Sequence, residues 1–140
     1  MQTFLPYADF TKTAQCLDMR RLGKQRSEVI QLLNALLIPG KGWGNHPAAK
    51  MWKGYEECLR VYGLSICQEW IMRGYKDTCL QKIHKFSPPV VVGNLCPPWL
   101  GHKAFHDSHK SNLLRKDPVF YGKYKWNVPD DLPYVWPITE

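Results

Sequence analysis

The chain has 140 residues, with 19 Lys and Arg against 12 Asp and Glu, a formal net charge of +7, and a composition that is 44% hydrophobic and 13% aromatic. This length supports one hydrophobic core, and so many apolar and aromatic residues exclude a disordered basic tail. We therefore expect a single domain over residues 1–140. No apolar run reaches the roughly 20 residues that a membrane span requires, and the first residues lack the layout of a signal peptide. We expect a cytoplasmic protein with no membrane partner.

The positive charge favours a polyanionic partner, most often nucleic acid, because cations that neutralise phosphates release counterions. The charge is concentrated in two clusters, one near the start of the chain and one in its last third, where it alternates with aromatic and histidine residues. The first cluster comprises Lys12, Arg20, Arg21, Lys24 and Arg26, and the second Lys103, Lys110, Arg115, Lys116, Lys123 and Lys125. Each cluster is also typical of a solvated helix surface. As two sides of one groove, they would grip a phosphate backbone.

Apolar residues at helical spacing predict a mainly α fold. A first helix should begin between Asp9 and Thr13 and continue to Leu37, with a bend at Gly23. Its buried face is predicted to contain Leu22, Val29, Leu33, Leu36 and Leu37, with Ile30 at the border.

Three further helices are predicted before residue 84. One begins at Pro47, capped by Asn45 or His46, and ends at Gly63. A shorter one runs from Leu64 to Arg73 and stops at Gly74. Asp77 caps a last turn or two that extends through Ile83.

The remaining chain is predicted to be irregular except for one helix. Prolines at both ends make residues 87–98 an ordered crossing loop, and a helix should span Lys103 to Arg115. The ring-rich tail should pack back over the helices. The predicted fold is all-α: a compact single-domain helical bundle with long irregular loops and a C-terminal tail.

The five cysteines are widely and irregularly spaced and include no C-x-x-C pair, which argues against a disulfide framework and a zinc ribbon. We expect reduced thiols, with Cys58 and Cys67 buried as small apolar groups.

Three histidines share one face of the last predicted helix. His102, His106 and His109 have a spacing that a metal site could use. No matching Cys or His pair occurs elsewhere, and the sequence contains no H-E-x-x-H and no glycine-rich nucleotide motif. We therefore predict no metal and no cofactor, and treat a metal-dependent hydrolase as an alternative function.

Arg21, Lys24 and Glu28 fall on one narrow stripe of the first helix, beside its buried face. This pattern has two interpretations. It is either a ladder of salt bridges on a solvated surface, or a pair of phosphate-binding cations around a carboxylate that takes part in chemistry.

Four stretches carry a resemblance to a known family. They are residues 1–6, the run from Leu17 to Glu28, the Asn45-His46-Pro47 turn followed by Trp52, and residues 108–118 with Tyr121. With these stretches the chain resembles the pyrimidine-dimer DNA glycosylase family, the endonuclease V type of phage and bacterial repair enzymes, in its bacterial branch. The resemblance covers nearly the whole chain.

The resemblance implies a mainly α, single-domain DNA repair enzyme without a metal cofactor. Such an enzyme flips a base, cleaves the N-glycosidic bond beside a UV photoproduct and nicks the abasic product by β-elimination. Its nucleophile is the N-terminal amine, which forms a Schiff base, and a glutamate of the first helix assists. The partner is double-stranded DNA with a damaged base, bound by a monomer that is nucleoid-associated when on DNA.

Two positions depart from the family pattern. Gln2 is too large for efficient removal of the preceding methionine, so the implied nucleophile is the α-amine of Met1. The family's catalytic glutamate falls on Arg21, so we predict Glu28 as the catalytic carboxylate and Asp18 as the alternative. The predicted DNA contacts are Arg20, Arg21, Lys24, Arg26, His46, His109, Lys110, Asn112, Arg115, Lys116 and Tyr121.

The predicted function is thus a DNA repair glycosylase, with or without AP-lyase activity, that excises a damaged or modified pyrimidine, the pyrimidine dimer by default. The other alternative is a non-catalytic DNA-binding module that has the same fold without the chemistry.

Overall fold

The structure is a computed structural model that describes residues 2–38, 40, 44–89 and 96–137. Within these residues it contains seven helices and no strand, which confirms the mainly α prediction. The helices are α1 (Phe10–Cys16), α2 (Met19–Leu37), α3 (Pro47–Lys50), α4 (Glu56–Met72), α5 (Leu80–His84), α6 (Lys103–Lys116) and α7 (Pro118–Gly122). None of the described helices has both the length and the apolar character needed to cross a membrane.

The predicted first helix is in fact two helices. The chain leaves the helical conformation at Leu17, and the side chain of Asp18 caps α2 by accepting a hydrogen bond from the backbone N–H of Arg21 at 3.3 Å. Gly23, where a bend was predicted, lies inside α2. A Cβ there would lie 2.9 Å from the ring of Trp70. This glycine therefore allows close approach of α2 to α4.

The predicted helix end at Gly63 is also wrong. The predicted second helix is only one turn, α3, and α4 passes through Gly63 and Leu64 to Met72. Gly63 is buried where α4 crosses α2, and a Cβ at this position would lie 2.6 Å from Cγ1 of Val29. The end at Gly74 is confirmed, because this residue has φ +93° and follows directly after the last turn of α4.

The core lies between α2 and α4, with contributions from all other parts of the described chain. Leu22, Val29 and Leu33 are completely buried as predicted. Ile30, Leu36 and Leu37 pack against the core at its edge. Cys58 and Cys67 are buried as predicted, and all five cysteines are free thiols. Burial raises the pKa of the Cys58 and Cys67 thiols to about 12.

The C-terminal third follows the prediction closely. Helix α6 has nearly the predicted bounds, although α7 was not predicted, and the tail packs back over the helices. The indole N–H of Trp126 donates to the Tyr7 hydroxyl at 2.8 Å, and the Tyr124 hydroxyl donates to the Cys16 carbonyl at 3.0 Å. Of the predicted crossing loop 87–98, residues 90–95 lie outside the described residues.

Candidate active site

Residues 2–5, here called the N-terminal segment, are buried although they belong to no helix or strand. Buried polar groups need hydrogen-bond partners, and in this segment side chains supply them. The indole N–H of Trp52 donates to the Thr3 hydroxyl at 3.0 Å. The hydroxyl of Tyr62 lies 2.8 Å from the Phe4 carbonyl oxygen. Side chains from α4 and from the turn that follows α3 therefore fix the position of the chain beside its first residue.

Two histidines of α6 hold the peptide groups of Leu5. The N–H of Leu5 donates to Nδ1 of His109 at 3.0 Å, and Nδ1 of His106 donates to the Leu5 carbonyl at 2.8 Å. Nε2 of His106 accepts the N–H of Gly101 at 2.8 Å, so the ring is neutral. Burial, assisted by the charge of Lys116, lowers the pKa of His109 to about 3. Both rings therefore hold the N-terminal segment in place.

Next to the N-terminal segment, α2 forms one wall of a cleft of about 510 Å³. We call it the Glu28 cleft. Its lining consists of Gln2, Phe4, Arg20, Arg21, Lys24, Gln25, Glu28 and Lys116. Only 10% of the Glu28 side chain is exposed, and its Oε1 lies 3.9 Å from Nζ of Lys24. The cleft thus contains one mostly buried carboxylate among four cationic side chains.

Gln25 connects the carboxylate to the N-terminal segment. Its Nε2 donates to Oε2 of Glu28 at 2.8 Å and to the carbonyl oxygen of Gln2 at 2.7 Å. Its Oε1 accepts the N–H of Phe4 at 3.2 Å and lies 2.7 Å from the Tyr62 hydroxyl. Burial, and secondarily the charge of Glu28, raises the pKa of Tyr62 well above its ordinary value, so this hydroxyl remains a donor. The Gln25 amide therefore uses both its donors and its acceptor.

The cations of the Glu28 cleft come from two helices. Arg20, Arg21 and Lys24 project from α2, and Lys116 lies in the last turn of α6. Partial burial, with the nearby charges of Arg21 and Arg115, lowers the pKa of Lys116. Its Nζ donates to the Tyr134 hydroxyl at 3.2 Å. The two basic clusters of the sequence thus meet at one cleft, although the second contributes only Lys116 to it.

The two candidate carboxylates have different surroundings. Asp18 does not line the Glu28 cleft. Its carboxylate caps α2, pairs with Arg21 at 3.2 Å and accepts a hydrogen bond from the Tyr121 hydroxyl. Burial alone would raise the pKa of Asp18, but the hydrogen bonds from Tyr121 and Arg21 lower it below its ordinary value. Through these contacts Asp18 holds α2 against α7.

Three of the predicted DNA contacts are buried. His109, Asn112 and Tyr121 have at most 1% of their surface exposed, so they cannot contact a phosphate backbone in this fold. His109 holds Leu5, Tyr121 holds Asp18, and Asn112 donates to the Leu132 carbonyl at 3.0 Å. This corrects the prediction, which followed from residue type without knowledge of burial.

Other predicted contacts lie away from the Glu28 cleft. Arg26 pairs with Asp77 at 2.6 Å and stacks on the Trp70 ring, and Arg115 donates to the Asp130 carbonyl at 3.0 Å. Lys110 lines a separate cleft beside Tyr7. His46 caps α3, with Nδ1 accepting the N–H of Ala48 at 3.0 Å, and burial lowers its pKa. Met1 lies outside the described residues.

The histidine cluster does not form a metal site. Both ring nitrogens of His106 are engaged, as is Nδ1 of His109. Among the described residues, no three His, Cys, Asp or Glu side chains are grouped so that they could hold a metal ion. The alternative of a metal-dependent hydrolase therefore loses its proposed ligands.

Three residues that line the site were not predicted from the sequence: Gln2, Phe4 and Gln25. Gln25 carried a usable signal, since it lies three residues after Leu22 and four before Val29, on the buried face of α2. A polar side chain in such a stripe needs buried partners. Gln2 and Phe4 gave no comparable signal, because the N-terminal segment has no periodic pattern.

A mainly α fold whose basic cleft encloses a carboxylate beside the N-terminal segment has the features of a protein that binds nucleic acid. A family model described as pyrimidine dimer DNA glycosylase matches residues 1–83, which contain α1 to α4 and most of α5. The chain belongs to this family. Searches of curated proteins and of solved structures gave no significant match.

Proposed function

We propose that this protein excises a damaged pyrimidine, by default a pyrimidine dimer, from double-stranded DNA at the Glu28 cleft and acts as a monomer. One observation carries the proposal. The mostly buried carboxylate of Glu28 is surrounded by cations and is linked to the N-terminal segment by the hydrogen bonds of one side chain, that of Gln25. The family match is the second support. The cations provide phosphate contacts, and the carboxylate provides negative charge where the sugar becomes positive.

The proposed chemistry begins with attack of the neutral α-amine of Met1 on C1′ of the deoxyribose. The C1′–N bond breaks, and its electron pair leaves with the base, which takes up a proton. Glu28 stabilises the oxocarbenium-like sugar during this step. The amine adduct then loses a proton, opens the sugar ring and becomes an imine. Loss of a C2′ proton from the imine expels the 3′ phosphate, which is the AP-lyase step.

Glu28 is the preferred catalytic carboxylate because Asp18 is fully engaged in structure. Asp18 does not line the cleft, and its carboxylate caps α2 and pairs with Arg21. Glu28 lines the cleft and caps no helix. Arg20, Arg21, Lys24 and Lys116 are proposed to contact the phosphates on either side of the flipped nucleotide.

The decisive experiment is borohydride trapping on duplex DNA with a cis-syn thymine dimer. We expect a covalent adduct that maps to the N-terminal amine by mass spectrometry and disappears when this amine is acetylated. Glu28→Gln should bind the duplex with nearly unchanged affinity and lower the single-turnover excision rate by about 100-fold or more. Asp18→Asn is the matched control. It should clearly lower the thermal stability, but at a temperature where the variant is folded it should lower the excision rate only slightly.

Several results would contradict the proposal. An adduct at a lysine would exclude the N-terminal amine as the nucleophile. Unchanged turnover by Glu28→Gln would exclude a catalytic role for this carboxylate. Salt-dependent DNA binding without product on a panel of pyrimidine lesions would instead support the non-catalytic DNA-binding module.

A further inference from the structure

We propose that Gln25 is a positioning residue that sets the placement of the Glu28 carboxylate relative to the N-terminal segment. The inference rests on the function proposed above. A single nitrogen, Nε2 of Gln25, lies 2.8 Å from Oε2 of Glu28 and 2.7 Å from the carbonyl oxygen of Gln2. The carboxylate and the carbonyl group of the second residue are therefore both held by one planar amide.

The Gln25 amide has only one orientation that satisfies its neighbours. Oε1 must face the N–H of Phe4, which is 3.2 Å away and needs an acceptor. This requirement directs both N–H donors of Nε2 towards Gln2 and Glu28. Gln25 is 1% exposed and therefore has no water-bonded alternative. The orientation is determined by the protein interior and does not depend on substrate.

Glu28 has no comparable restraint from its other neighbour. Nζ of Lys24 lies 3.9 Å from Oε1, and the Lys24 side chain is 75% exposed, so this contact is long and solvated. Long exposed ion pairs hold side chains weakly. Without the Gln25 donor, Glu28 should rotate towards Lys24 and solvent. Reaction rates are sensitive to displacements of about 1 Å, so this rotation should slow excision while leaving phosphate contacts in place.

The test compares Gln25→Leu with Thr13→Val in single-turnover excision on a duplex containing a cis-syn thymine dimer. Thr13→Val is the control, since it removes hydrogen bonds between a buried side chain and the Tyr7 backbone, outside the Glu28 cleft and the N-terminal segment. We expect Gln25→Leu to lower the rate about 100-fold with the DNA dissociation constant changed less than about threefold. Thr13→Val should lower the rate less than about threefold. Equal rate losses in the two variants would overturn the proposal.

Gln25→Met covers the case in which Gln25→Leu does not fold. Methionine has an unbranched side chain of similar length and a weakly accepting sulfur, but it has no donor for Glu28. We expect folded protein with a rate loss similar to that of Gln25→Leu. A folded Gln25→Met protein with the wild-type rate would overturn the proposal.

A coupling measurement separates positioning from general destabilisation. Glu28→Asp shortens the side chain and withdraws the carboxylate from Nε2 of Gln25. If Gln25 acts through Glu28, adding Gln25→Leu to Glu28→Asp should slow the reaction by less than about threefold more. Multiplicative losses would show that Gln25 acts elsewhere. Absence of excision by the wild-type protein would reject the proposed function itself, and with it this inference, whereas an active wild type with uncoupled losses would reject the positioning role alone.

Discussion

At the scale of single residues, burial decides which polar side chains face DNA and which support the fold. His109 was predicted to contact DNA because it lies in a basic, aromatic stretch, but the structure gives it no exposed surface. Its Nδ1 accepts the N–H of Leu5 at 3.0 Å, and this bond requires the neutral ring. Because protonation of such a histidine would break this bond, the free energy of unfolding depends on pH.

We predict that the protein loses stability as the pH falls below about 6.5. The unfolded chain protonates His109 near its ordinary pKa of 6.5, whereas burial lowers its pKa in the folded chain to about 3. The unfolded state therefore binds more protons between these values, so the free energy of unfolding decreases with decreasing pH. For His109 alone the loss at pH 5 is about 2 kcal/mol. Burial also lowers the pKa of His106, which acts in the same direction.

Urea unfolding at pH 7.5 and pH 5 measures this loss. His109→Asn is the control, because its Oδ1 can accept the Leu5 N–H in place of Nδ1 but does not titrate in this range. The variant should be less stable at pH 7.5 and should lose about 2 kcal/mol less than the wild type on acidification. Equal losses in both proteins would show that His109 is not the source.

Gln25 shows how far the sequence could predict the site. The stripe of α2 that contains Arg21, Lys24 and Glu28 was visible from helical spacing, because that spacing depends only on local geometry. The contacts of Gln25 with Gln2 and Phe4 connect residues 23 and 21 positions apart. No local pattern encodes such pairs, since they arise only when α2 packs against the N-terminal segment.

At the scale of helices, the ends were the least predictable feature. One helix was predicted where there are two, although Asp18 is a residue type typical of N-caps and does cap α2. Gly63 was interpreted as a helix end, although it is where α4 packs against Val29. Glycine is typical both of helix ends and of close helix contacts, and only the tertiary structure distinguishes these uses.

We predict that Gly63→Ala destabilises the protein by about 1–3 kcal/mol because of overpacking. A Cβ at Gly63 would lie 2.6 Å from Cγ1 of Val29 and 3.1 Å from Cδ1 of Ile83, both in the core. Gly122→Ala is the matched control, since a Cβ there would meet nothing within 4 Å. It should be neutral or slightly stabilising, because alanine favours helix more than glycine does. Thermal unfolding of both variants measures the difference; a Gly63→Ala protein as stable as the wild type would show that α2 and α4 can separate without cost.

At the scale of the whole molecule, the excess positive charge is not uniformly available to DNA. Arg26 is paired with Asp77, Arg115 holds the tail, and Lys103 is paired with Asp107. Four other cations line the Glu28 cleft around one carboxylate: Arg20, Arg21, Lys24 and Lys116. The net charge of +7 is thus a poor measure of the number of phosphate contacts, whereas the cleft gives a specific count to test.

The salt dependence of DNA binding tests that count. Each phosphate contact contributes about −0.9 to the slope of log K against log salt concentration for duplex DNA. Lys24→Gln should weaken binding at low salt and reduce the magnitude of the slope by about one. Lys82→Gln, which removes an equal charge at an exposed position of α5 outside the Glu28 cleft, should leave the slope nearly unchanged. Fluorescence anisotropy titrations of both variants at several salt concentrations decide the matter: equal slopes would mean that DNA senses the overall charge of the molecule, and a smaller slope for Lys24→Gln alone would mean that the duplex is held at the Glu28 cleft.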